Sequence, residues 1–388
     1  MSEMSELPVW DGDLHSARAL ADPYPLYTKL RRLGPVVRLA RHGVIAVTRY
    51  AEAHRVLHRG MCVPQPQATE NARAVPPALP AGLLAGADGG ELLIRMRARA
   101  EEATARHIAR AHCVDMVELA RELMADLLVD VLGLPPGQRT RALEGAAAPA
   151  DGTPGTDGGS AAGAMLRALA PLLADMPPRS GSLRHTLHQA AVRGRLEPGG
   201  VLPAVAGHLV PALDVAAHAA VHTLALLAEH PPWFSRVRSA RDTAEGLLHE
   251  TLRWQPPVHT GVHRLTQAAP LAGPSAAAGT TLWLLYACAG RDPRHFGPTA
   301  HLYRPERPQA RDHLLLGTRH DAPGHRLATT YGRTLISALA RHCTALDLHG
   351  PPARRTTASL RGYTRLLLRV TPDGRVMRAH RPAPTTAG

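Results

Sequence analysis

Hydrophobic and polar positions along the 388-residue chain follow two periods. Apolar residues that recur every three or four positions indicate half-buried helices, whereas short β-branched runs between turn residues indicate strands. The helical stretches are residues 25–33, 50–58, 91–132, 202–227, 240–254 and 326–342. The strand-like stretches are residues 36–39, 44–48 and 280–286. The pattern predicts a mainly α fold with a small β-rich lobe.

Turn-forming residues divide these stretches. Gly34-Pro35 ends the first helix, and Pro256 ends the helix over 240–254, because a residue that precedes proline is disfavoured in the α region. Residues 145–163 are rich in Ala, Gly, Pro, Asp and Thr and predict a mobile loop. We therefore predict one domain over residues 1–375, with a β-rich N-terminal part and a large helical part, and a loose tail over 376–388.

The formal net charge of +13 raises the question of a nucleic-acid partner. However, Lys29 is the only lysine among 45 basic residues, and the arginines are scattered between acidic residues. Only seven Tyr and two Phe are available for base stacking. The charge therefore indicates coding bias toward arginine and solvated helix faces, and we expect no nucleic-acid partner.

The N-terminus has no basic stretch followed by an apolar one, and the longest apolar runs are shorter than the ~18 residues that a membrane span needs. We expect no membrane association. The four cysteines are far apart and form neither a disulfide framework nor a zinc knuckle; they are Cys62, Cys113, Cys288 and Cys343. A cytoplasmic location is predicted.

Several short motifs follow one another at characteristic spacings. Glu250-Thr251-Leu252-Arg253 forms an E-x-x-R motif and runs into Trp254-Gln255-Pro256-Pro257-Val258. Further landmarks are the runs AGT at 278–280, GRDPRHF at 290–296, DPYPLY at 22–27 and RY at 49–50. In this order the motifs resemble those of bacterial cytochrome P450s, which are heme-thiolate monooxygenases, over almost the whole chain. The resemblance implies the cytochrome P450 fold.

The resemblance also assigns a structural role to three residues. Glu250, Arg253 and Arg307 match the buried carboxylate and two guanidiniums of the family. Planar arginine forks can hold a carboxylate with two hydrogen bonds, and this would fix the segment beneath the heme. We expect these residues to stabilise the fold.

The heme-ligand loop is where the chain departs from the family. Residues 313–328 resemble that loop shortened by one residue, with Leu316 in place of its Phe and Arg319 where a Gly is usual. Anchored on Gly324, the alignment places Ala322 at the thiolate position. A methyl group cannot coordinate iron, and P450 chemistry depends on the thiolate.

Two other heme contacts are also replaced. The oxygen-binding stretch falls on residues 211–216, where Val215 and Ala216 stand in place of two threonines. Leu93 replaces a histidine that contacts a heme propionate in the family, and Arg264 could still match a propionate-binding arginine. We therefore expect no bound heme, no other cofactor and no catalysis.

The pattern resembles the heme-free, P450-like auxiliary proteins of antibiotic gene clusters. That resemblance implies a cytoplasmic partner that binds and activates or stabilises a nucleotide-deoxysugar glycosyltransferase in macrolide or polyketide biosynthesis. The GC-biased composition is typical of an actinomycete. Two alternatives stay open: a heme monooxygenase with His320 or His325 as the iron ligand, and a small-molecule-binding protein that uses the vacated heme cavity.

Overall fold

The structure, a computed structural model, describes residues 7–64, 79, 83–84, 87–147, 161–240, 243–273, 275–315, 322–356 and 360–374. Its helices are α1 (Ala17–Ala21), α2 (Tyr24–Leu33), α3 (Tyr50–His58), α4 (Ala87–Arg110), α5 (Met116–Leu132), α6 (Arg139–Ala147), α7 (Ala161–Leu169), α8 (Leu172–Asp175), α9 (Leu183–Val192), α10 (Val201–Ala204), α11 (Val210–Glu229), α12 (Pro231–Ser239), α13 (Thr243–Trp254), α14 (Tyr286–Ala289), α15 (Pro293–Phe296) and α16 (Pro323–His342).

The strands are short and belong to four sheets. They are β1 (Val9–Trp10), β2 (Val36–Leu39), β3 (Val44–Val47), β4 (Cys62–Pro64), β5 (Cys113–Asp115), β6 (Gly261–Leu265), β7 (Ala269–Pro270), β8 (Ser275–Ala276), β9 (Thr281–Leu284), β10 (Cys343–Leu348), β11 (Ala353–Thr356), β12 (Arg361–Arg365) and β13 (Leu367–Pro372). The fold class predicted from the sequence, mainly helical with a small β-rich part, is confirmed.

The largest sheet joins the N-terminal part of the chain to the segment that follows α13. Its strand order is β1-β2-β3-β9-β6-β4. The predicted strands over 36–39 and 44–48 form a hairpin, since β2 pairs antiparallel with β3 and Gly43 takes the left-handed conformation at the turn, with φ of 64°. The predicted strand over 280–286 is β9, which pairs parallel with β3. A three-stranded sheet, β10-β13-β5, combines two C-terminal strands with β5, which contacts α5.

The helical pattern over 91–132 is interrupted in the structure. Helix α4 ends at Arg110, β5 follows, and α5 begins at Met116. The Asp115 carboxylate caps α5 by accepting hydrogen bonds from the Val117 amide at 3.0 Å and the Leu366 amide at 3.2 Å. Pairing of β5 with β13, which lies far away in the sequence, decides the break. Local periodicity carries no sign of such a partner.

The apolar helix predicted over 202–227 lies at the centre of the molecule. It extends from Val201 to Glu229 and contains a π-helical turn, Val205–Leu209. Pro211 has no N–H to donate to the preceding turn, and a widened turn just before it accommodates this. The helix is long and apolar enough to cross a membrane, but 89% of its most apolar window is buried inside the protein. Such burial is typical of a core helix.

The main hydrophobic core is built from α4, α5, α11 and α16. Buried leucines and alanines of these helices form one contiguous cluster. Tyr331 of α16 is fully buried in it and donates a hydrogen bond to the Ala120 carbonyl of α5. Two smaller clusters lie on opposite faces of the large sheet, one of them around Tyr50 and the other around Tyr27.

The predicted loop over 145–163 is partly helical, because α6 continues to Ala147 and α7 begins at Ala161. Its central residues, 148–160, lie outside the described residues, as does the predicted tail over 376–388. Helices α6, α7 and α9 and the C-terminal strands were not predicted. Most of these elements pack against α5 or α11, so their positions depend on the tertiary structure.

Substitution of Asp115 by alanine is expected to lower the free energy of unfolding by about 1–2 kcal/mol, because the amides of Val117 and Leu366 lose their acceptor. Urea unfolding followed by circular dichroism measures the loss. The matched control is Asp115→Asn, which keeps the accepting Oδ1 atom and should unfold close to wild type. Equal losses for both variants would show that the hydrogen bonds are not the cause.

Candidate functional site

The E-x-x-R motif lies on α13 and forms a buried ion pair. Both side chains, Glu250 and Arg253, are 0% exposed. Arg253 donates from Nε and Nη2 to the two carboxylate oxygens, each at 2.7 Å. Its remaining donors reach the carbonyls of Gly290, Ala300 and Leu302 at 2.5–3.0 Å. All five N–H donors of the guanidinium therefore have an acceptor, which a fully buried charge requires.

Arg307 completes this cluster from the far side of the carboxylate. Its Nε lies 3.4 Å from Glu250 Oε1, and the Arg304 amide donates to the same oxygen at 2.8 Å. Its Nη1 and Nη2 donate to the carbonyls of Phe296 and Thr299 at 2.6 and 2.7 Å. One carboxylate thus organises the backbone of residues 290–307. The geometry is that of a structural anchor.

Ala322, at the position aligned with the thiolate, is the N-cap of α16. Its side chain is a half-buried methyl group, and its carbonyl accepts from the Arg326 amide at 3.0 Å. The residues just before it, 316–321, lie outside the described residues; they include Leu316, Arg319 and His320.

The four cysteines lie elsewhere in the fold. Cys288 Sγ donates to the Tyr27 carbonyl on α2, and Cys62 Sγ lies 3.4 Å from His263 Nδ1 in the large sheet. Cys343 follows the 20-residue α16, so the helix places it about 30 Å from Ala322. Cys113 begins β5, beyond α4. None of them replaces a thiol at position 322.

Residues 211–216, which the resemblance aligns with the oxygen-binding stretch of the family, lie on α11. Val215 and Ala216 are buried at 7% and 2% exposure and carry no hydroxyl. The start of α16 packs closely against this helix. A Cβ atom built on Gly324 would lie 3.3 Å from the Ala212 Cβ and 3.2 Å from the His208 carbonyl oxygen.

The residues that match the propionate contacts make other interactions. Leu93 is half-buried and packs against the main core from α4. Arg95, on the same helix, donates to the Gly181 carbonyl at 3.1 Å and lies 3.9 Å from the Asp130 carboxylate. Arg264 on β6 is exposed, and its Nε lies 3.4 Å from the Gly279 carbonyl.

Three histidines that the motifs did not group together meet beside this site. They are His249 of α13, His313 and His325, all at most 4% exposed. Their ligand-capable nitrogens lie within 4.8 Å of one another. Sequence reasoning considered His325 only as an iron ligand, whereas the structure stacks it on His313 with a ring-centroid distance of 5.7 Å. His249 and His313 are 64 positions apart in the sequence, and His313 and His325 are 12 positions apart. These spacings match no short metal-binding motif, so only the fold reveals the group.

Known proteins with similar sequences include a cytochrome P450, a hydroxylase and Protein TylM3. Cytochrome P450 CYP199A2 of Rhodopseudomonas palustris is 27% identical over 398 aligned positions, which cover 91% of this chain and 92% of the relative. The β-dihydromenaquinone-9 ω-hydroxylase of Mycobacterium tuberculosis is 28% identical over 166 residues, or 42% of this chain and 33% of its own length. Protein TylM3 of Streptomyces fradiae is 31% identical over 180 residues, which cover 45% of this chain and 42% of that protein. No protein-family model matches the chain.

Solved structures decide the fold. Cytochrome P450 CYP109Q5 from Chondromyces apiculatus superposes with a TM-score of 0.74 at 20% identity, over 94% of this chain and 99% of that one. The protein has the cytochrome P450 fold. The relatives and structural neighbours together support its place in the P450 superfamily.

The expectation that this P450-like protein takes no cofactor is contradicted. The relative aligned over almost the whole chain is a cytochrome P450, and one structural neighbour is the P450 heme domain of Tepidiphilus thermophilus. That neighbour has a TM-score of 0.72 at 19% identity, over 92% of this chain and 96% of that one. These comparisons point to heme. The sequence argument was wrong to infer the absence of a cofactor from the absence of one ligand and its neighbouring contacts.

The described residues nevertheless do not fit a heme held by a protein thiolate at position 322. Ala322 offers no donor atom, and the cysteines are committed elsewhere. A Cβ atom on Gly324 would lie 3.3 Å from the Ala212 Cβ, so the start of α16 packs closely on α11 at this point. No chemical step through heme is therefore assigned to these residues.

Removing the charge of Glu250 tests the anchor. Glu250→Gln is expected to destabilise the protein by about 3–5 kcal/mol, because Arg253 is left buried without its counter-ion. Chemical denaturation of the purified protein measures the change.

The matched control is Glu306→Gln, which breaks the exposed ion pair with Arg236 and should cost about 1 kcal/mol or less. A similar, small effect of both variants would contradict the anchoring role of Glu250.

Proposed function

We propose that this P450-like protein is a non-catalytic auxiliary partner of a glycosyltransferase. In this role it binds and activates or stabilises an enzyme that transfers a nucleotide-activated deoxysugar in polyketide or macrolide antibiotic biosynthesis. The observation that carries the proposal is the contrast between two groups of residues. The anchor of Glu250, Arg253 and Arg307 is complete, whereas Ala322 and the Val215-Ala216 pair offer no iron ligand and no proton donor.

The contrast separates the requirements of folding from those of monooxygenase chemistry. A buried carboxylate with its arginines maintains the segment beneath the site whether or not a reaction occurs there. Oxygen activation instead needs a strongly donating iron ligand and groups that deliver protons to bound oxygen. The side chains at positions 215, 216 and 322 are aliphatic. A protein that uses its fold as a binding surface needs only the first group of residues.

Similarity to known proteins supports the auxiliary role in part. The match with Protein TylM3 spans less than half of either chain and hints at this class of proteins. The longer match is with a P450, which supports the fold and the superfamily. The glycosyltransferase itself is inferred from the resemblance of the whole motif pattern.

Binding energy suffices to explain activation. A partner that binds one conformation of an enzyme in preference to another shifts the population toward that conformation. A partner that binds only the folded enzyme stabilises it by RT ln(1 + [L]/Kd), about 2.7 kcal/mol at a concentration 100 times Kd. Neither effect requires contact with the sugar donor or the acceptor.

Co-expression with candidate deoxysugar glycosyltransferases of the same organism tests the proposal. We expect the two proteins to co-purify as a complex and the sugar-transfer rate of the enzyme to rise at least about tenfold when this chain is present, since a shift of 1.4 kcal/mol is sufficient. Cytochrome P450 CYP199A2, expressed in the same way, is the control for a generic effect of the fold. It should leave the rate unchanged.

Restoration of a thiol at position 322 separates partner binding from heme chemistry. Ala322→Cys is expected to leave complex formation and sugar transfer as in wild type, because no step of the proposed role uses this side chain. Absence of both a complex and a rate change with wild-type protein would defeat the proposal. Oxidative turnover by the purified chain with an electron donor would replace it with a monooxygenase function.

A further inference from the structure

The three buried histidines come from three separate elements. His249 lies on α13 next to Glu250, His313 directly follows the 3-10 segment Pro308–Asp312, and His325 lies in the first turn of α16. The rings of His313 and His325 are nearly parallel, with an interplanar angle of 4°, and both stack on His249 at 5.3–5.8 Å. The fold thus brings three imidazole rings from distant parts of the sequence into contact.

The distances suit a metal ion with tetrahedral geometry. His249 Nδ1 and His313 Nε2 lie 3.1 Å apart. With zinc–nitrogen bonds of about 2.05 Å, this separation corresponds to an N–Zn–N angle of about 98°, close to tetrahedral. The ligand-capable nitrogens of all three rings lie within 4.8 Å of one another, so small rotations of the third ring bring it into range.

A carboxylate lies behind one of these ligands. Glu245 Oε1 is 3.7 Å from His249 Nε2, on the ring nitrogen opposite the one that faces His313. A carboxylate in this position fixes the tautomer of a metal-binding histidine and increases its basicity. Arg311 and Arg333 lie 2.6 and 3.2 Å from the two Glu245 carboxylate oxygens and hold the carboxylate in this position.

We propose that His249, His313 and His325 form a binding site for a divalent transition-metal ion, with Zn²⁺ as the best-suited cation. Neutral imidazole nitrogens favour Zn²⁺ and similar ions over Mg²⁺ or Ca²⁺, which prefer oxygen ligands. The site is separate from the heme-ligand position, since His325 points toward α13 and Gly324 toward α11. A bound ion would cross-link α13, the segment at 313 and the start of α16.

Hydrogen bonding alone is the competing explanation for the same geometry. One neutral imidazole can donate to another at 3.1 Å without a metal. The metal explanation fits, in addition, the proximity of ligand atoms from all three rings and the carboxylate behind His249. The Glu245 carboxylate would also compensate part of the positive charge of the buried ion.

A second histidine group in the described part of the chain provides an internal control. Asp13, His15 and His42 also have ligand atoms within 4.8 Å, but His15 is exposed. His42 Nε2 already accepts a hydrogen bond from the Leu14 amide at 3.2 Å. This group should bind a metal ion weakly or not at all.

Equilibrium dialysis of the purified full-length chain against Zn²⁺ tests the site, with metal determined by mass spectrometry. We expect one equivalent per chain. It should be retained in the His15→Gln/His42→Gln double variant, and its affinity should fall at least about tenfold in His249→Gln and in His313→Gln. Loss of the orienting carboxylate in Glu245→Gln should weaken binding about 10–100-fold.

Co²⁺ substitution of the wild-type chain gives a readout that does not depend on how the variants fold. Three imidazoles in a tetrahedral site should produce intense visible absorption bands, which Zn²⁺ then displaces. Heme in the same samples is assayed separately as its pyridine complex, so heme iron is not mistaken for this ion. Absence of any bound Zn²⁺ or Co²⁺ overturns the proposal, as does an equivalent that is lost in the His15→Gln/His42→Gln variant and kept in His249→Gln.

Discussion

The structure depends on the burial of one carboxylate, Glu250, between two guanidiniums. A charge without access to water is tolerated only if every polar atom around it finds a partner. Arg253 meets this condition by using all five donors, three of them on backbone carbonyls of residues 290–302. These segments can therefore not move independently of α13. Asp292 extends the connection to α3, since its carboxylate accepts from the Tyr50 amide at 3.2 Å.

This anchor also positions the residues around the position of the expected ligand. His249 is the neighbour of Glu250 on α13, and Arg307 immediately precedes the 3-10 segment that leads to His313. From there the chain reaches Ala322 and α16, whose first turn packs on α11. A rigid scaffold is thus retained around side chains that cannot bind iron through sulfur. The proposed binding role needs this rigidity and none of the lost chemistry.

The comparisons and the local residues lead to different conclusions about heme binding. Relatives that share the fold point to heme as the cofactor. At position 322, however, the chain offers a methyl group, and the space beside Gly324 is taken by α11. Similarity over a whole chain reports the fold, whereas coordination is a property of single atoms.

The sequence by itself determined the helical and β-rich parts and the E-x-x-R anchor, because periodicity and residue identity are local properties. The assignment of Ala322 to the thiolate position stays a prediction from the alignment. The sequence did not determine the break between α4 and α5, which pairing of β5 with the distant β13 imposes. It also did not reveal that His249, His313 and His325 meet. Contacts between residues 64 positions apart follow from how helices pack, and only the tertiary structure decides that.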